Sequence, residues 1–95
     1  MTQYLIIVSI KASKLEESFV RSHLAWLSDE YDKCHFQAYG PFIEKSGGWI
    51  IAESASPETL KSILDSDPLI QADAASYDIQ PIRVGANRLE KIQPN

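Results

Sequence analysis

The chain is short of cysteine, histidine and basic charge, and each shortage closes a class of function. Its one cysteine, Cys34, has no partner for an internal disulfide, which fits a reducing compartment. With two histidines beside it, too few ligands remain for a zinc site built on sulfur or several imidazoles. Nine Lys and Arg stand against thirteen Asp and Glu, for a net charge of −4, and the basic residues form no cluster. Nucleic acid binding needs a basic stripe to neutralise phosphates, so that class is set aside. The longest apolar run, Leu5 to Val8, is far shorter than a bilayer requires. The N-terminus lacks the basic start and extended apolar stretch of a signal peptide. These absences together predict a cytoplasmic protein with no membrane partner, no metal and no cofactor.

What remains is ordinary globular composition, with 44% hydrophobic and 23% charged residues among 95. A chain of this length buries only about 60–65% of its unfolded surface, so a second subunit would add needed apolar burial. One domain is expected over residues 1–84, followed by a polar tail over 85–95.

Tyr4 to Ile10 is rich in β-branched residues and reads as a first strand. Lys14 to about Lys33 has a period near 3.6. Phe19, Val20, His23, Leu24, Leu27 and Tyr31 share one arc of that helix, with Ser13 and Glu16 as a capping pair. His35 to Tyr39 alternates as a second strand, putting Cys34, Phe36 and Ala38 on one face and His35, Gln37 and Tyr39 on the other. Gly40-Pro41 stops it, and Ser46-Gly47-Gly48 turns the chain into a third strand, Trp49 to Ala52. Ser56-Pro57-Glu58 is a strong helix start, with Leu60, Ile63 and Leu64 as the buried stripe. Asp67-Pro68 ends that helix and starts another turn through Leu69 and Ile70. Tyr77 to Val84 forms the last strand.

The order is β-α-β-β-α-β, which predicts an α+β, ferredoxin-like fold with a four-stranded antiparallel sheet and helices on one face. Leu5-Ile6-Ile7-Val8 and Trp49-Ile50-Ile51-Ala52 are apolar on both faces, so something must cover the far side of the sheet. Packing against a second copy is the simplest cover; an exposed apolar face would invite aggregation.

The chain resembles the YCII-related (YciI-like) family of the dimeric α/β-barrel superfamily. The resemblance runs from about Tyr4 to Ile82. It is carried by His23-Leu24-Ala25-Trp26-Leu27, Gly40-Pro41, Gly47-Gly48, Asp67-Pro68-Leu69 and Tyr77-Asp78-Ile79, in that order. It implies a homodimer and a site centred on His23 with Asp67 as its acidic partner. Asp73 stands where relatives often carry Gly, and Val20 where many carry Arg, with Arg21 adjacent. Dehydrochlorination is among the activities credited to the family, and the superfamily extends to muconolactone isomerases and cofactor-free monooxygenases.

An imidazole within an apolar helical arc costs a few kcal/mol unless it is partnered. His23 therefore reads either as an acid or base, since imidazole titrates near pH 6.5, or as a core residue satisfied by a carbonyl or by Asp67. Asp67 reads either as the acid that orients that imidazole or as an N-cap; its two oxygens allow both. His35 and Tyr39, with Gly40 and Pro41 beside the latter, are the expected substrate-binding groups, facing a cavity between two subunits. Their alternative role is hydrogen bonding across the dimer. Trp26 and Trp49 read as packing residues, Cys34 as a small buried hydrophobe, and no serine sits in a nucleophile motif. The leading expectation is a cofactor-independent lyase or isomerase that moves a proton on a small oxygen-rich substrate. The alternative is a non-catalytic dimeric module that binds a small molecule or a protein.

Overall fold

The computed structural model describes residues 1–11 and 15–88. Four strands, β1 (Thr2–Ile10), β2 (Phe36–Pro41), β3 (Gly48–Ser54) and β4 (Ala75–Ile82), form one antiparallel sheet in the order β2-β3-β1-β4. Helices α1 (Glu17–Asp32), α2 (Pro57–Leu64) and the one-turn α3 (Pro68–Gln71) complete the ferredoxin-like α+β arrangement. No helix among the described residues is long and apolar enough to cross a membrane.

Strand periodicity sorts the sheet into two faces. On β1, Tyr4, Ile6 and Val8 are buried beneath the helices, joined by Ile50 and Ala52 from β3 and by Phe36, Leu60, Leu64, Leu69 and Ala75. The intervening positions, Leu5 and Ile7 on β1 and Trp49 and Ile51 on β3, face the other way and are only half-buried. The doubly apolar strands of the sequence thus leave an apolar patch on the helix-free face.

Local chemistry explains where the elements start and stop. Ser56 caps α2 by accepting from the Thr59 N–H at 3.1 Å, with Pro57 next in line. Two helices end in the same way. After α1, Cys34 takes φ 66°, its N–H donating to the Tyr31 carbonyl and that of His35 to the Glu30 carbonyl. After α3, Asp73 takes φ 56°, with N–H bonds from Asp73 to Ile70 and from Ala74 to Leu69. Both are Schellman closures, whose left-handed residue favours glycine and tolerates aspartate.

Four expectations are corrected. Helix α1 starts at Glu17, later than expected, and Glu16 at its N-cap makes no side-chain cap bond; Ser13 and Lys14 lie outside the described residues. The buried side of α1 is rotated from the apolar arc. It runs through His23, Trp26, Leu27 and Glu30, while Phe19, Val20, Leu24 and Tyr31 are 36–53% exposed. The rotation follows from what α1 packs on: it bears on α3 and β2, towards one edge of the layer. Cys34 is exposed, because the left-handed exit from α1 turns its side chain outward.

The fourth correction concerns β2. Phe36 pairs with Ala52 but Ala38 pairs with Ile51, so a β-bulge falls between them and Gln37 is the extra residue. The bulge shifts the alternation by one. Tyr39, opposite Ile50, faces the helices together with Phe36, and parts from His35 and Gln37.

Candidate active site

A cavity of about 240 Å³ lies between α1 and the sheet, within one chain rather than between two sheets. Its floor is Val8, Ile10 and Ile50, and its roof is Val20, His23, Leu24 and Leu27 of α1. Tyr39, Gly40, Pro41, Gly47 and Gly48 close one end. Gly47 has φ +92°, and a Cβ there would sit 2.2 Å from the Val8 carbonyl oxygen, so only glycine fits this turn.

His23 is placed by α1 and oriented by the turn between α2 and α3. Asp67 is the N-cap of α3, its Oδ1 accepting from the Leu69 N–H at 3.0 Å, with Pro68 at the first helical position. The same Oδ1 lies 2.8 Å from His23 Nδ1. Capping and histidine pairing thus converge on one oxygen. The Asp67 side chain is 3% exposed and that of His23 16%. A carboxylate only accepts, so neutral His23 carries its proton on Nδ1 and donates it to Asp67. Nε2 is then the acceptor, with no protein partner among the described residues, on a ring that lines the cavity.

Trp26, one turn further along α1, stacks on the His23 ring at 6.0 Å between centroids and 25° between planes. Its Nε1–H donates to Ser66 Oγ at 2.9 Å, and Ser66 donates to the Ile63 carbonyl at 2.6 Å. The indole also meets Phe36 edge-on at 5.4 Å. The Tyr39 ring packs edge-on against Tyr31 at 6.0 Å, which holds it at the cavity wall.

The structure therefore brings His23, Asp67, Tyr39, Gly40 and Pro41 to one place, and it does not bring His35. That residue sits at the other end of β2, its Nδ1 3.1 Å from Oε2 of the buried Glu30, which Lys33 approaches to 3.9 Å. Glu30 on the buried side of α1 is explained by this pairing. Among the described residues no cluster of three or more His, Cys, Asp or Glu could hold a metal. Sequence reasoning missed Val20, Leu24 and Trp26 as parts of the site. The only available signal was their spacing of three, one and three residues from His23.

Elsewhere, Tyr77 on β4 donates to Asp65 Oδ1 at 2.6 Å. Burial first, then the bond to and charge of Asp65, push its phenol up to about 12.

No curated protein matches the sequence. Among solved structures, the chain is similar to 5-chloro-2-hydroxyhydroquinone dehydrochlorinase from Burkholderia phenoliruptrix AC1100, in complex with 2,5-dihydroxybenzoquinone. The TM-score is 0.74 at 21% identity, covering 87% of this chain and 95% of that one. It is also similar to muconolactone isomerase, with a TM-score of 0.68 at 11% identity over 98% of this chain and 97% of that one. At such identities the likeness is one of fold alone. The model of the YCII-related domain matches residues 2–83, and the chain belongs to that family.

Proposed function

We propose that the cavity is a proton-transfer site of a small lyase or isomerase that works without a cofactor on a compact, oxygen-bearing substrate. The observation that carries the reading is a single imidazole on the cavity wall, its Nδ1 held at 2.8 Å by a buried carboxylate. Such a histidine is an oriented base. Nε2 takes a proton from a substrate O–H or C–H, and the imidazolium formed is stabilised by Asp67. Returning that proton to a different atom completes an isomerisation; expelling an anionic leaving group completes an elimination. Tyr39 binds or polarises a substrate oxygen from the sheet side. The volume lies below the usual range of about 300–1,000 Å³ for drug-sized ligands, which suits a one-ring compound. The dehydrochlorinase and the lactone isomerase of similar fold, one bound to a dihydroxybenzoquinone, support this substrate class.

The working form in this reading is a cytoplasmic homodimer joined through the sheet face that carries Leu5, Ile7, Trp49 and Ile51. Sedimentation of the protein and of Ile51→Glu checks the interface: a dimer that the charge splits is expected. A wild-type monomer at high concentration would remove it.

The site itself is tested with 2,5-dihydroxybenzoquinone as the probe. Heteronuclear NMR should show shifts at His23, Tyr39 and the Gly47-Gly48 turn. His23→Gln should weaken binding by about tenfold, the loss of one well-placed hydrogen bond. Binding that His23→Gln leaves intact, or shifts confined to the open sheet face, would overturn the proposal. Binding without turnover of any ring substrate favours the non-catalytic binding module.

A further inference from the structure

We infer that Trp26 is a positioning residue: through Ser66 it holds the His23 imidazole in the register that makes Nε2 the basic atom. The inference rests on the site proposed above and adds to it the device that fixes its geometry.

The His23–Asp67 contact joins α1 to the turn between α2 and α3. A second contact, Trp26 to Ser66, joins the same two elements one helical turn further along α1 and one residue earlier in the turn. The two contacts are adjacent rungs between one helix and one turn. Hydrogen bonds keep within about 2.7–3.2 Å and weaken steeply as they bend, so a slide or turn of α1 against that loop would stretch and misalign the first rung. The second rung opposes that slide, and it is anchored at both ends. Ser66 is tied to the Ile63 carbonyl at the end of α2, and the indole is braced edge-on by Phe36 of β2. The stacked indole also covers one face of the imidazole, which limits how the ring tilts towards the cavity. A tryptophan serving only to fill the core needs its bulk. This one also spends its single N–H on the residue next to the histidine's partner.

The test separates bulk from hydrogen bonding. Trp26→Phe keeps an aromatic face against His23 and Phe36 but removes the N–H. Ser66→Ala removes the acceptor at an exposed position and leaves the tryptophan. The imidazole nitrogens are read by 15N NMR on the full chain at a pH where His23 is neutral. Wild type should show one tautomer, protonated at Nδ1. Each variant should show a mixture of the two tautomers, and the double variant should go no further than either alone, because both remove one bond. If Trp26→Phe does not fold, Ser66→Ala carries the test by itself. Melting that drops while the wild-type tautomer persists in both variants would reduce Trp26 to packing. The readout needs no ligand. A protein that fails to bind 2,5-dihydroxybenzoquinone therefore ends the functional reading while the tautomer result still decides this one.

Discussion

Asp67 has two duties on one oxygen, and substitution can separate them. Asp67→Ala removes the cap on the Leu69 N–H and the partner of His23 together. Loss of an N-cap costs about 0.5–2 kcal/mol, and loss of a charge-assisted hydrogen bond about 1.5–3 kcal/mol. The Asp67 carboxylate that makes both is buried, so the expected loss is about 2–5 kcal/mol. Against a total of roughly 5–14 kcal/mol for 95 residues, that is a large share. It corresponds to a fall in Tm of about 10–30 °C. Asp67→Asn keeps an oxygen where both N–H groups point and gives up only the charge. Neutral hydrogen bonds are about half as strong, so its cost should be nearer 1–2 kcal/mol. Urea unfolding of both variants, alone and combined with His23→Gln, supplies a double-mutant cycle. It is run at one fixed protein concentration, because a dimer makes stability concentration-dependent. A coupling of at least about 1 kcal/mol between positions 23 and 67 is expected. Equal losses for the Ala and Asn variants, with coupling below about 0.5 kcal/mol, would refute the view of these residues as an energetic pair.

Gly47→Ala should destabilise by about 2–5 kcal/mol, the sum of left-handed strain and a forced shift against the Val8 carbonyl. A melting curve within error of wild type would show that the turn adapts freely. Tyr77 gives an alkaline signature. Its phenol holds its proton more tightly in the folded chain, at about 12 against 10.0. Its contribution is complete below pH 10 and is lost as pH rises towards 12, since the unfolded chain ionises first. The stability gap between wild type and Tyr77→Phe should therefore narrow across that window, and a gap constant with pH would contradict the Tyr77–Asp65 contact.

Much of this molecule was open to reading from its residues because the relevant physics is local. Alternation and β-branching marked the strands, and the Ser56-Pro57 and Asp67-Pro68 pairs marked helix starts that depend only on the next two or three residues. The polar intruder His23 in an apolar arc was visible for the same reason, whereas Asp67 as its partner was what the family resemblance implied. Errors arose where one residue changed a register. The extra Gln37 in β2 turned Tyr39 from the far face to the cavity, and strict alternation could not anticipate a bulge. Helix periodicity showed that α1 has a greasy side. It could not show that the contact would rotate towards α3 and β2, leaving Val20 and Leu24 at the edge of the cavity.

The sequence by itself determined the order of elements, the caps of α2 and α3, the glycine turn and the surplus of apolar residues on two strands, since each follows from neighbours a few positions apart. Only the tertiary structure decided that His23 and Asp67, 44 residues apart, meet at 2.8 Å. It alone tied Trp26 to Ser66 beside them, and gave Glu30 rather than the cavity to His35. Such pairings depend on the angle and slide of one helix against a turn. Those are set by the packing of the whole layer and are written in no single stretch of chain.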